Sequence, residues 1–204
     1  SAMLSQYKYV TVRESSAVDL LVKMHVACEG QVLDPTLLLD ASDWSQYIIK
    51  GGGKAAGYVL VYQIHNNPVL SDYAKRFAKA VGLPLVRVSP ELYHVMRGGR
   101  FHLLPNVGEF LSYIKNASYI VTDSFHGTAF AINFNKQFLE VLPNNKTGSR
   151  NQSILQLTGL QDRVVTDFRD FSLAERSIDY APVNEVLRRE RKKSVELLKH
   201  IIED

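Results

Sequence analysis

Strand-like and helix-like segments alternate along this chain, and that alternation limits the possible architectures more than any other property of the sequence. Residues 7–12 are aromatic and β-branched and predict a strand. Arg13-Glu14-Ser15-Ser16 follows as a turn with N-cap chemistry, and 17–26 sets Val18, Leu21, Val22 and His25 at helical spacing. A short strand is expected at 31–33, ended by a turn at Asp34-Pro35-Thr36, and Ser42 and Asp43 are candidate caps for a short helix reaching Tyr47. The run 57–64 reads as a buried strand, and 71–81 as an amphipathic helix with Tyr73, Phe77 and Val81 on one side. A strand at 85–88, a helix at 107–115 with Phe110, Leu111 and Ile114 facing inward, and strands at 119–121 and 137–141 continue the pattern. After a loop at 143–149 come a helix over 154–160 ending near Gly159, a last short strand at 163–165, and a long helix over 183–202. The inner face of that long helix is expected to be Val186, Leu187, Val195, Leu198 and Ile202. Repeated strand–helix units argue for an α/β, Rossmann-like parallel sheet with helices on both faces.

Composition narrows the functional classes. A length of 204 residues suits one α/β domain with its own core. Ser1-Ala2-Met3 looks like the remnant of tag cleavage, which leaves 4–204 as one domain with a long C-terminal helix. A formal charge of +3 without a concentrated basic stripe speaks against nucleic-acid binding. The run Arg188–Lys193 reads as a solvated helix face, with a basic patch for a partner as the alternative. Cys28 is the only cysteine, so no internal disulfide and few cysteine-based metal sites are possible. No apolar run approaches the ~18–20 residues of a membrane helix, and no signal-peptide pattern is visible. Neither His-x-x-x-His nor His-Glu-x-x-His spacing occurs, so no metal site is expected. Gly51-Gly52-Gly53 reads as a flexible link, because Gly53-Lys54-Ala55 lacks the hydroxyl that a Walker-type phosphate loop needs. Gly98-Gly99-Arg100 reads as a mobile loop, with an anion-binding turn as the alternative.

Residues 118–132 concentrate the chemistry. An apolar strand runs into Thr122-Asp123-Ser124-Phe125-His126-Gly127, and an apolar helix follows. In open α/β sheets ligands lie outside the carboxyl ends of the strands, and a helix N-terminus favours anions. This one turn can therefore offer a proton carrier in His126, hydroxyls in Ser124 and Thr128, and an anion cradle, with Gly127 letting the backbone approach a ligand. A structural histidine bonded within a tight turn is the alternative for His126, and helix capping the alternative for Ser124 and Thr128. Asp123 either orients His126 or is structural. Arg13, just past the first strand, is placed at the same sheet edge; its alternative is a surface ion pair with Glu14 or Asp19. His65-Asn66-Asn67 should reach that edge too, and Tyr62 either lines the cleft or packs.

Thr122-Asp123-Ser124-Phe125-His126-Gly127-Thr128-Ala129-Phe130 resembles the signature of the polysaccharide pyruvyl transferases. Val10-Thr11-Val12-Arg13-Glu14-Ser15-Ser16, Asp34-Pro35-Thr36-Leu37-Leu38, and Ser149-Arg150 with the later Leu-Thr-Gly-Leu-Gln-Asp-Arg run ending at Arg163 are similar to that family in order and spacing. The resemblance implies one half of a GT-B fold, in which two Rossmann-like halves face a cleft. It further implies that this is the C-terminal half, and that an N-terminal half not represented here packs on it. The implied activity moves the enolpyruvyl carbons of phosphoenolpyruvate onto sugar hydroxyls of a polysaccharide precursor as a ketal. By the same resemblance His126 is the catalytic acid and later base, while Arg13, Ser124, Ser149 and Arg150 hold the donor. Phosphoenolpyruvate is then a co-substrate, with no cofactor, and the location a bacterial cytoplasm. Two alternatives stand beside this: a GT-B glycosyltransferase using a nucleotide sugar, and a non-catalytic saccharide-binding remnant. The first would want a ribose-gripping carboxylate after the His motif, and none is evident there.

Overall fold

The computed structural model describes residues 3–49, 57–143 and 148–204. Ser1-Ala2, the Gly51-Gly52-Gly53 link and most of the 143–149 loop lie outside the described residues. The elements run β1 (Thr11–Val12), α1 (Ser15–Lys23), β2 (Gly30–Gln31), α2 (Pro35–Leu38), α3 (Ala41–Ser45), β3 (Val59–Tyr62), α4 (Pro68–Ala80), β4 (Leu85–Ser89), β5 (Arg100–Leu103), α5 (Val107–Asn116), β6 (Tyr119–Thr122), α6 (Phe125–Asn133), β7 (Gln137–Glu140), α7 (Gly148–Thr158) and α8 (Tyr180–Glu203).

Five strands form the main sheet in the order β5-β4-β3-β6-β7, all parallel. The period-two pattern of strands divides their side chains between two cores. Leu60 pairs with Val86 and Ile120, and Ile120 with Phe138; all four face α5, α6, α7 and α8. Val61 pairs with Val121, and Val121 with Leu139; these face Leu70, Tyr73 and Phe77 of α4. Burying each such side chain contributes about 1.5–3 kcal/mol. Read from β3 outward, the strand order reverses between β3 and β6, and this switch point opens a crevice at their carboxyl ends.

The expectation of helices on both faces of a parallel sheet holds, but three elements differ from the sequence reading. First, β1 and β2 do not join the main sheet. They pair only with each other, Thr11 opposite Gly30 and Val12 opposite Gln31. This small unit is fastened to the other end of the chain: Leu33 N donates to Ser194 Oγ at 2.9 Å, and Lys8 Nζ lies 2.6 Å from Asp204 Oδ2. Second, the segment taken for a mobile loop leads into the edge strand β5. Gly98 and Gly99 adopt φ of 73° and 87°, which only glycine adopts readily, and turn the chain into register with β4. Third, 163–165 is not a strand: a 3₁₀ turn at Gln161–Arg163 precedes a single bridge between Val164 and Glu140.

Helix α8 also presents a different face. Tyr180, Val183, Leu187 and Ser194 are buried, while Ile202 is 80% exposed and Val195 exposed. The polar residues on the inner side explain the shift. Arg191 turns inward, donating from Nε to Leu37 O at 2.7 Å and from Nη2 to Asn133 Oδ1 at 3.1 Å, so the basic run is solvated only in part. At the start of the chain's second helix, Asp34 is a cap rather than the centre of a turn: its Oδ1 accepts from Thr36 N at 3.1 Å and Pro35 is the first helical residue. Asp40, with Asp43 returning the bond, caps α3.

Candidate functional site

The crevice at the switch point is built by the residues that end β3 and β6. Thr122 Oγ1 donates to Tyr62 O at 2.7 Å and accepts from Ser124 N at 3.0 Å, locking the exit of one strand onto the other. Asp123 is buried and faces back to β3, accepting from Ile64 N at 2.9 Å and His65 N at 3.2 Å, with His65 Nδ1 at 3.3 Å. Burial pushes the Asp123 carboxyl up, and these bonds from Ile64 and His65 offset only part of that. Asp123 is therefore bonded to the β3 exit and not to His126. Ser124, 1% exposed, caps α6 toward Gly127 N at 3.5 Å and meets the Tyr62 phenol, so its hydroxyl shapes the turn from within. Thr128 Oγ1 donates toward Ser124 O at 3.1 Å and touches Glu140. Gly127 is buried as well: the space a Cβ would take is filled by Thr122 and Tyr62, so the close approach it allows is to the protein's own strands and not to a ligand.

Two arginines remote in sequence meet beside this turn. Arg13 leaves β1 and places Nη1 2.5 Å from Asp34 Oδ2. Arg150, in the first turn of α7, places Nη2 3.1 Å from the same oxygen and its guanidinium 4.3 Å from the centroid of Phe125. Asp34 replaces Glu14 and Asp19 as the partner expected for Arg13. Glu14 turns to α7, with Oε1 3.5 Å from Arg150 Nε and Oε2 accepting from Ser149 Oγ at 3.0 Å. Burial pushes the Asp34 carboxyl up, but bonds from Thr36 and the Arg13 guanidinium outweigh it and hold the carboxyl below its usual value. The two arginines differ in how open they are. Arg13 is about half exposed, and Arg150 Nε makes no hydrogen bond among the described residues although it is shielded from solvent. A narrow crevice of about 20 Å³ separates them, closed by Leu33, Leu37, Ile154 and Leu157.

His126, on the first turn of α6, stays exposed and makes no hydrogen bond to another described residue; its ring packs edge-on against Phe125 at 5.6 Å. Partial burial lowers its pKa, Arg150 and Arg13 lower it further, and Asp34 opposes them. The imidazole thus lies within the field of the arginine pair. The cluster Arg13, Arg150, Asp34 and Glu14 is electrically balanced, and protonation of His126 makes it net positive. An exposed imidazole beside two forked guanidiniums can bind a carboxylate or phosphate and exchange a proton with it. A second cavity of about 220 Å³ adjoins the turn, walled by Tyr62, Val88, Pro90, Pro105, Val107 and Phe110, with the Tyr62 and Phe110 rings 4.8 Å apart. It is the roomier of the two because Asp34 and the guanidiniums fill their own site.

The structure therefore brings Arg13, Ser149, Arg150 and His126 together and sets Ser124 beneath them. His65 reaches the same edge but pairs with Asp123, while Asn67 caps α4 and Asn66 bonds Arg97. Asp34, Glu14 and Phe125 were not foreseen as organisers of the site. The Asp-Pro pair was the one local signal, since it marks a cap as readily as a turn. Among the described residues no three His, Cys, Asp or Glu side chains gather as a metal would require, and no helix is long and apolar enough to cross a membrane.

The sheet, its switch point and the polar turn define a GT-B-like α/β domain. Over 94% of this chain and 61% of the other, it superposes on a Methanocaldococcus jannaschii UDP-GlcNAc 2-epimerase solved with UDP-GlcNAc and UDP (TM-score 0.55, 14% identity). The chain thus spans about three-fifths of that enzyme's length. A Thermobaculum terrenum O-GlcNAc transferase mutant also matches, at a TM-score of 0.46 and 16% identity, over 71% of this chain and 34% of that one. No curated protein sequence matches the chain. The family model for polysaccharide pyruvyl transferase matches residues 1–145, and the chain belongs to that family. The matched span holds Arg13, Asp34 and His126; Arg150 lies just beyond it.

Proposed function

We propose that this chain is the donor-binding, C-terminal half of a polysaccharide pyruvyl transferase, that it takes phosphoenolpyruvate, and that an N-terminal half supplies most of the acceptor site. The observation that carries the reading is the convergence of Arg13 and Arg150 on Asp34 beside an exposed His126, in a chain of this family. Phosphoenolpyruvate bears a carboxylate and a phosphate, and two forked guanidiniums suit that pair. The reaction adds a proton to the methylene carbon, leaving cationic character on the carbon that carries the phosphate. One sugar hydroxyl attacks that carbon, phosphate leaves with the bonding electrons, and a second hydroxyl closes the ketal. The hydroxyls lose two protons; one replaces that given to the methylene and the other leaves with phosphate. His126 is the group placed to give and recover the first of these.

Calorimetry of this chain with phosphoenolpyruvate tests the reading, with phosphate, pyruvate and a nucleotide sugar as controls. Selective phosphoenolpyruvate binding is expected. Preference for the nucleotide sugar would make the chain a glycosyltransferase domain instead. Arg13→Ala and Arg150→Ala should each weaken binding about 10–100-fold, the equivalent of ~1.5–3 kcal/mol for a charge-assisted bond. Removing Arg13 takes one partner from the buried Asp34 carboxylate, which keeps Arg150 and Thr36, so it should cost about 1–3 kcal/mol of stability, read by chemical denaturation. Unchanged affinity in either variant would leave that arginine a structural role only.

Binding should also take up a proton. The free imidazole titrates below 6.5, and an anion held beside it raises that midpoint. Affinity therefore increases as pH falls through the midpoint of the complex, and levels off below that of the free protein. His126→Asn cannot protonate, so the difference in affinity between it and the wild type should widen on acidification. Equal pH profiles would remove His126 from the anion site.

A further inference from the structure

Glu140 stands at the end of β7 with 0% exposure, and no basic side chain among the described residues pairs with it. Its Oε2 is bonded to Thr128 Oγ1, and its Oε1 accepts from Asn151 Nδ2 at 2.6 Å. Thr128 lies on α6 two residues past His126, and Asn151 lies on α7 directly after Arg150. We propose that Glu140 is a positioning residue that ties α6 to α7 and so sets the His126 imidazole against the Arg150 guanidinium.

Counting protons shows how the tie works. The Thr128 hydroxyl has one proton and two oxygen neighbours, Glu140 Oε2 and Ser124 O at 3.1 Å. An ionised Glu140 would take that proton and leave Ser124 O with the Thr128 backbone N–H alone, at 3.0 Å. With Glu140 neutral, its Oε2–H donates to Thr128 Oγ1, and Thr128 in turn donates to Ser124 O. The Asn151 amide serves Oε1, and the side-chain bonds then run unbroken from Ser124 O to Asn151. The chain of bonds runs from the Ser124 cap of the His126 turn to the residue beside Arg150. Burial supports the neutral form, pushing Glu140 up to about 8 against the bonds from Thr128 and Asn151. Asp123, at the end of β6, is the charged group that acts on it, in the same upward direction. Neither Thr128 nor Asn151 titrates.

Histidine NMR of the ligand-free chain tests this without any substrate. Arg150 depresses the His126 midpoint, so loosening α7 should let it rise. Glu140→Gln keeps a donor for Thr128 and an acceptor for Asn151, and should hold the midpoint at its wild-type value. Glu140→Ala and Asn151→Leu should both move it upward. If Glu140→Ala does not fold, Asn151→Leu decides. A folded variant with lowered melting temperature but an unmoved His126 midpoint would overturn the proposal, as would a Glu140→Gln shift equal to that of Glu140→Ala. A stability comparison adds the sign. The wild type loses stability as pH rises from about 4.5 to about 8, because its folded state prefers the proton, so Glu140→Gln should gain on it across that window. Parallel curves would show that Glu140 is already ionised and count against the tie. A second arm rests on the pyruvyl transferase reading: Glu140→Ala should bind phosphoenolpyruvate about tenfold more weakly, Glu140→Gln as wild type. If the wild type binds none, that reading fails while the NMR result still stands.

Discussion

On the proposed reading, His126→Asn is expected to lower the rate of pyruvyl transfer about 10²–10⁴-fold, measured as phosphate release once the proposed N-terminal half is supplied. Asparagine keeps a hydrogen-bond donor near the same place but cannot move a proton. His126 makes no hydrogen bond to another described residue and is exposed, so its loss should change stability by less than about 0.5 kcal/mol. A large fall in turnover with an unchanged melting temperature would separate chemistry from folding. The electrostatics favour an acid. Partial burial and the two arginines lower the imidazole pKa, which strengthens its drive to give up a proton to a weakly basic carbon. On the proposed reading, the anionic donor raises the pKa again when bound, so the protonated form is available when it is needed. Turnover at the wild-type rate in a folded His126→Asn enzyme would place the proton transfer elsewhere.

Gly127→Ala should destabilise the domain by about 1–3 kcal/mol and lower its melting temperature by about 2–4 °C for each of those. The added Cβ would overlap Thr122 Oγ1 and sit 3.0 Å from both Thr122 Cβ and Tyr62 Cδ1. Thr122 cannot swing away cheaply, because its hydroxyl joins Tyr62 O to Ser124 N. Alanine is worth about 1 kcal/mol more than glycine inside a helix, and the overlap has to exceed that gain. Differential scanning calorimetry reads the result, and a melting temperature at or above the wild-type value would mean that the two strands are not tightly locked here. A displaced first turn of α6 would also carry His126 with it, so donor affinity should fall alongside stability.

Those two residues show what a sequence makes visible and what it hides. The main sheet was readable because Val59, Leu60 and Val61 are apolar without interruption, as a doubly covered strand must be. β5 was missed because Arg100-Phe101-His102-Leu103 is an edge strand, half polar and introduced by two glycines. The face of α8 was misjudged because Arg191 and Ser194, polar by type, are the residues that find partners inside, while apolar Ile202 has none. Within the site, His126 announced itself through a dense local motif, and Arg13 and Arg150 through the resemblance. Asp34 did not, since the residues that give it meaning lie 21 and 116 positions away. Glu140 was hidden for a related reason. A glutamate ending an apolar strand looks like the point where the chain meets water, and only the packing of α6 and α7 over it removes that water. Its carboxyl is turned on Thr128 and Asn151.

The 116-residue separation between Asp34 and Arg150 also has a kinetic meaning. Bringing such distant groups together is opposed by loop-closure entropy until the intervening sheet has formed. During synthesis the emerging chain would hold Arg13 and Asp34 long before Arg150 appears, and on the proposed reading it would grip the anion only weakly until then. Occupancy of the site is then a report that the last third of the chain has docked. On the proposed reading, an anion that fits it should slow unfolding and protect the seam between the β1–β2 unit and α7 from proteases, because the fully assembled form binds it most tightly.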